Sequence, residues 1–139
     1  AKIDGLSHRI VCLLSDGELD EGSNWEAFLL GAHHKLDNLI AICDRNSLQS
    51  IKTTEETLML EPLVEKLKSF GWAVLEINGH DQYQIKEALN TKKSGKPLFI
   101  LANTIKGKGV KFMENQTLWH YRTAKGKEFD EALNQLKSS

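Results

Sequence analysis

Apolar residues gather in four short runs, at positions 10–14, 39–43, 73–77 and 98–102, each bounded by turn-forming residues. The runs are mostly continuous rather than alternating, which is the pattern of parallel strands covered on both faces. Between them, apolar positions recur at helical spacing. Ser23 and Glu26 have the form of a capping box, and Trp25, Phe28, Leu29, Ala32 and Leu36 follow it on one face. Pro62 suits the first turn of a helix that runs to Phe70 and closes at Gly71. Asp81 and Gln84 open a third helix carrying Ile85, Ala88 and Leu89, and the stretch 128–136 reads as a terminal helix. The alternation of strand and helix predicts an α/β fold: a doubly wound, mostly parallel sheet with helices on both faces. Ligands of such sheets bind beyond the carboxyl ends of the strands. The stretch 106–126 has three glycines, five Lys/Arg and His120 but no periodicity, so it is expected to be a functional loop.

Composition narrows the classes of function. The chain has 139 residues, with 40% hydrophobic and 27% charged, which suits one folded domain. Its 18 basic and 19 acidic residues leave a net charge of −1, which argues against nucleic acid as the main partner and gives no support for a membrane surface. No apolar run approaches the roughly 18 residues of a membrane span. The first five residues lack the apolar core of a signal peptide. Cys12 and Cys43 both sit in apolar runs, which favours free thiols and a cytoplasmic setting over a disulfide scaffold.

The chemistry lies in the residues immediately after each strand. Ser15-Asp16-Gly17-Glu18 comes after the first, Asp44-Arg45-Asn46-Ser47 after the second, Asn78-Gly79-His80-Asp81 after the third and Asn103-Thr104-Ile105-Lys106 after the fourth. In a parallel sheet these lie along one rim. Asp16, Asp44 and Asn46 there are hard oxygen donors, suited to Mg²⁺ or Ca²⁺ rather than zinc. Asp and Asn after strands are also ordinary loop starters and caps. Against that plain reading, positions 16–26 hold five carboxylates and no basic residue. A helix start tolerates two or three, so a cation or a basic partner is expected to offset the repulsion.

Ser15-Asp16-Gly17, then 28 residues, then Asn46, resembles the thiamine diphosphate-binding motif, which usually opens Gly-Asp-Gly. The residues at 18–27, His34-Lys35-Leu36-Asp37-Asn38, Gly79-His80-Asp81, the loop at 105–110, Met113-Glu114-Asn115 and Trp119-His120 extend the match. Together they resemble the diphosphate-binding domain of the transketolase family, especially the N-terminal subunit of two-subunit transketolases. The resemblance implies that Asp16 and Asn46 side chains and the Leu48 carbonyl hold Mg²⁺, for which Ca²⁺ could substitute. It implies that Gly17, Glu18, Asn46 and His120 lie at the cofactor, that His120 is catalytic, and that Glu21 and Glu26 face a subunit contact. The implied reaction is transfer of a two-carbon ketol unit between sugar phosphates. It requires a pyrimidine-binding domain or C-terminal transketolase subunit, in an oligomer.

Residues 1–139 are therefore expected to form a single diphosphate-type domain, incomplete at its N-terminus and inactive when isolated. Other readings stay open: a deoxyxylulose phosphate synthase-like enzyme or 2-oxo acid dehydrogenase component, an inactive assembly or regulatory domain, or a receiver-type phosphoacceptor imitated by Asp16, Asp44 and Lys106. His33 and His34 read as packing or surface residues, His80 as either functional or structural. Trp25 and Trp72 read as core. The lysines at 106, 108 and 111 form either a solvated loop or a steering patch for phosphorylated substrates. Ser15 and Tyr121 stand where the family usually has Gly, and the Tyr121 ring is expected to narrow the mouth of the site or alter its substrate.

Overall fold

The computed structural model describes residues 1–91 and 95–138. The four apolar runs form β1 (Ile10–Ser15), β2 (Leu39–Arg45), β3 (Ala73–Asn78) and β4 (Leu98–Asn103). They pair in the order β1-β2-β4-β3, every pairing parallel. Among the described residues, the helices are α1 (Gly22–His33), α2 (Thr54–Thr57), α3 (Leu63–Ser69), α4 (Gln82–Asn90) and α5 (Lys127–Lys137). Short 3-10 turns lie at Gly17–Asp20 and Thr117–His120. The register sets the carboxyl ends level, with Ser15 opposite Asp44 and Asn103 opposite both Arg45 and Asn78. The expected α/β, doubly wound architecture is thus observed.

Alternate residues of the two central strands feed two cores. Phe99 and Leu101 of β4, with Ala41 and Cys43 of β2, pack with Phe28 of α1 and with Leu63 and Leu67 of α3. Leu98, Ile100 and Ile40 point to the other face, where they meet Ala88 of α4. An aromatic cluster joins the first core. Phe99 meets the rings of Phe28 and Trp72 edge-on at 5.6 and 6.1 Å, and the Trp72 indole N–H donates to the Phe28 carbonyl at 2.8 Å. Trp72 is buried as expected, whereas Trp25 is half-buried and packs against this core from the rim side.

Three expectations need correction. Continuous apolar runs suggested strands covered on both faces, which holds for β4 but not for β1. Val11 and Leu13 are 52% and 71% exposed, because β1 is an edge strand and the core under α4 takes residues of β2, β3 and β4 but none of β1. The Ser23–Glu26 capping box does not form. The residue that caps α1 is Glu21, through its backbone and without a side-chain bond, because the preceding 3-10 turn delivers the chain there. Leu36 falls beyond the helix, which ends before the positive φ of 49° at Lys35. The true capping box is Thr53 with Glu56, at the start of α2. Asp81 does cap α4, accepting from the N–H groups of Tyr83 and Gln84. Among the described residues no helix is long and apolar enough to cross a membrane.

This packing has two measurable outcomes. Replacing fully buried Phe99 by Ala is expected to cost about 3–5 kcal/mol in denaturant unfolding, because it opens a cavity between Phe28 and Trp72. The Cys43 thiol is buried and pushed up to about 12, chiefly by desolvation, so it stays protonated through pH 9. An alkylating agent at pH 8 is therefore expected to label exposed Cys12 in the folded chain and to reach Cys43 only in denaturant, as read by peptide mass.

Candidate functional site

Level strand ends place four loops around one rim, and a cavity of about 290 Å³ opens there. Its lining includes Asp16, Gly17, Glu18, Asn46, Leu48 and His120, which the structure brings to one place, whereas Asp44, the third oxygen donor expected on this rim, lines a separate cavity with Ile42 and Thr104. Ser15, Glu21, Gln49, Ser50 and Lys106 complete the lining. Glu26 is absent from it and stands exposed on α1.

Asp16 is the centre of this arrangement. It is 1% exposed and follows β1 at the N-cap of the first 3-10 turn. Its Oδ1 accepts the Gly17 N–H at 2.9 Å. Its Oδ2 accepts the Ser47 N–H at 2.5 Å and a guanidinium N–H of Arg45 at 3.3 Å. Desolvation raises the Asp16 pKa, and these donors only partly oppose it. Arg45 is equally enclosed. Burial alone would lower its pKa, but the hydrogen bonds it donates to Glu61, Asp16 and Glu55 outweigh that and hold it raised.

The second loop supplies the remaining donors. Asn46 Oδ1 accepts the Leu48 N–H at 3.1 Å, and its amide N–H reaches Asp44 Oδ1 at 3.4 Å, which orients the side chain. Ser47 between them has φ of 64°, in the left-handed region, and that conformation turns its N–H toward Asp16. Leu48 bridges Thr53 in antiparallel fashion, and Gln49 N–H donates to the Lys52 carbonyl at 2.8 Å, closing the loop as a small hairpin.

The donor chemistry fits a small hard cation. One lone pair of Asp16 Oδ1 is left, and Asn46 and Leu48, each with a carbonyl oxygen to offer, line the same cavity. Among the described residues no three His, Cys, Asp or Glu converge on a metal-sized point. A cation here would take its other ligands from oxygens of the bound molecule or water. At Gly17 a Cβ would stand 3.3 Å from the Gln49 side chain, so a larger residue there would press on the side chain that covers the turn.

Other residues fall into place around this centre. Ser15 and Glu18 form a reciprocal pair: Ser15 N–H donates to Glu18 Oε2 at 2.6 Å, and Glu18 N–H donates to Ser15 Oγ at 3.3 Å. A serine there thus stabilises the turn. His80 is structural in this geometry, its Nε2 accepting the Ile105 N–H at 2.8 Å and pinning the loop after β4. The lysine cluster divides. Lys106 lines the cavity, while Lys108 and Lys111 line a separate groove against α5. His120 is exposed, and its ring stacks on that of Tyr121 at 4.7 Å and 11°. His33 and His34 are exposed on the far end of α1, edge to face with each other. Sequence reasoning missed Arg45 and Gln49. The signal for Arg45 was a lone cation ending a buried strand in a region crowded with acids.

The family described as "Transketolase, thiamine diphosphate binding domain" matches residues 2–137. The chain is 44% identical over 138 residues to one subunit of the apulose-4-phosphate transketolase of Actinobacillus succinogenes, covering 99% of this chain and 50% of that one. It is 43% identical over 121 residues to a 6-deoxy-6-sulfo-D-fructose transketolase subunit from a Clostridium species, covering 86% of this chain and 44% of that protein. The chain therefore spans about half the length of these relatives. The crystal structure of transketolase from Campylobacter jejuni superposes with a TM-score of 0.87 at 35% identity, over 95% of this chain and 21% of that one.

The loop geometry has its own test. Ser47→Val places a β-branched residue at positive φ and is expected to destabilise the chain by about 1–2 kcal/mol in urea, whereas Ser47→Gly is expected to be at least as stable as wild type.

Proposed function

The chain belongs to the thiamine diphosphate-binding domain family of the transketolases, and from that premise we propose that it is the diphosphate-binding part of a split transketolase, acting with a pyrimidine-domain partner. One observation carries the proposal. Asp16, the Asn46 side chain, the Leu48 carbonyl and His120 share a single cavity at the carboxyl rim of a parallel sheet. Residues 1–139 would act as one domain. A cytoplasmic setting suits the two free thiols.

In this reading Asp16, Asn46 and the Leu48 carbonyl hold Mg²⁺, which serves as a template for the diphosphate. Ca²⁺ has the same preference for oxygen and would substitute. Thiamine diphosphate, when bound, supplies the electron sink for breaking and forming the carbon–carbon bond. The protein's own residues bind, orient and handle protons. Gly17 permits close approach of the diphosphate to the backbone, and Glu18 keeps the turn closed through Ser15. Lys106 adds a positive charge for a phosphate or another anionic group. His120, exposed over the cavity, donates a hydrogen bond to an anionic oxygen or moves a proton at a substrate hydroxyl.

The substrates proposed are sugar phosphates, exchanged as a two-carbon ketol unit. The names of the apulose-4-phosphate and sulfofructose relatives support an anionic sugar. The Tyr121 ring beside His120 is the feature placed to restrict which one enters.

Titration with thiamine diphosphate, with and without Mg²⁺, tests the binding step. Binding should require Mg²⁺, and Asp16→Ala should weaken it at least about tenfold, as loss of a direct metal ligand does. No Mg²⁺-dependent binding by the wild-type chain, alone or with its partner, would overturn the reading. The isolated chain is expected to turn over no sugar phosphate. In the reconstituted enzyme His120→Ala should lower ketol transfer by roughly a hundredfold, weaken cofactor binding only modestly, and leave thermal stability unchanged.

A further inference from the structure

We infer that Arg45 is the positioning residue of the metal-binding loop: its guanidinium decides which oxygen of Asp16 is left for a cation and ties that carboxylate to the segment at 53–62. The inference rests on the proposed reading of the cavity as a Mg²⁺ and diphosphate site.

Arg45 closes β2 with its side chain 7% exposed. One end of its fork, Nη1, donates to Asp16 Oδ2 at 3.3 Å and to Thr54 Oγ1 at 2.6 Å. The other, Nη2, donates to Glu55 at 2.8 Å and Glu61 at 3.0 Å. The partners are themselves held in place. Thr54 N–H donates to the Ser47 carbonyl at 3.1 Å, and the second oxygen of Glu61 accepts the Leu63 N–H at 2.8 Å. One planar group thus joins the end of β1, the metal loop and the start of α3.

The consequence at Asp16 is a choice of oxygen. Oδ2 already receives two donors, from Ser47 and Arg45, which fills its acceptor positions. Oδ1 receives one, from Gly17, and keeps an acceptor position on a residue that lines the cavity. One cation set against three carboxylates still leaves the surroundings negative, so Arg45 orients the ligand without repelling Mg²⁺ outright. A lysine could not replace it, since a single ammonium cannot reach four acceptors in a plane.

The test separates positioning from structural support. With thiamine diphosphate held fixed, the Mg²⁺ concentration for half-maximal binding is measured on wild type, Arg45→Met, Arg45→Lys and Glu61→Gln, with thermal melts alongside. Arg45→Met is expected to raise that concentration at least about tenfold, while thiamine diphosphate affinity at saturating Mg²⁺ changes far less. Arg45→Lys should fall between wild type and Arg45→Met. Glu61→Gln should shift the Mg²⁺ midpoint in the same direction by a few-fold. A folded Arg45→Met with the wild-type Mg²⁺ midpoint overturns the inference, and so does a lower melting temperature with no midpoint shift. Where Arg45→Met does not fold, unshifted midpoints in both Arg45→Lys and Glu61→Gln overturn it. Wild type without Mg²⁺-dependent binding overturns the functional reading and this inference together. Wild-type binding with unshifted variants overturns the inference alone.

Discussion

A carboxylate with 1% of its surface in solvent loses nearly all the hydration that would stabilise its charge, and Asp16 is such a group. The fold answers it from within. Two backbone N–H groups, at Gly17 and Ser47, and the Arg45 guanidinium converge on its two oxygens. Each donor comes from a different constraint: the first turn after β1, a left-handed residue after β2, and the last residue of β2 itself. Breaking one partner of a buried pair costs about 3–5 kcal/mol, more than most single contacts, so the loops around Asp16 are held together by its charge. The same arrangement leaves Asp16 on the lining of an open cavity with an acceptor position of Oδ1 unfilled. Removing solvent from Asp16 and keeping it available to a ligand are therefore achieved by one set of bonds.

The sheet was legible because its central strands are buried on both faces and so appear as unbroken apolar runs. β4, with Leu98 to Ala102 all buried, is the clearest case. The same signal misled at β1. An apolar run records what a strand is able to bury, and Val11 and Leu13 remain open at an edge that the described helices do not reach. Helix starts were less secure. Ser23 and Glu26 matched a capping pattern, but the chain enters α1 from a 3-10 turn that periodicity does not register, and the pattern falls inside the helix. The site residues were found through a spaced motif, since local propensity treats Asp and Asn after strands as plain turn formers. Arg45 and Gln49 escaped notice because their partners, at 16, 20, 54, 55 and 61, are scattered along the chain.

The two banks of the cavity are supported by different parts of the fold. The face packed by α1 and α3 carries the aromatic cluster and supports the turn at Gly17–Asp20 from beneath, through buried Leu19. The loop after β4 is fixed by its own turns, such as the Asn115 N–H to the Lys106 carbonyl at 3.0 Å, and by two longer-range bonds, from the Ile105 N–H to His80 Nε2 and from the Lys111 N–H to Gln135 of α5. The candidate metal donors thus rest on the first core, and His120 approaches the cavity from the loop after β4.

Three tryptophans give the molecule an optical vocabulary of its own. The Trp25 indole N–H donates to the Leu19 carbonyl at 2.7 Å, directly behind the turn that carries Gly17 and Glu18. Trp119 adjoins His120 on the opposite loop, with its N–H on the Phe112 carbonyl and the Arg122 guanidinium 4.7 Å above its ring. Trp72 is sealed in the core. Their emission should therefore separate into distinct colours and quenching behaviours: a blue, shielded signal from the core, and two signals from opposite banks of the cavity. Single-tryptophan versions of the chain would turn each bank into its own lamp, allowing the turn at Gly17–Asp20 and the loop after β4 to be watched independently in real time.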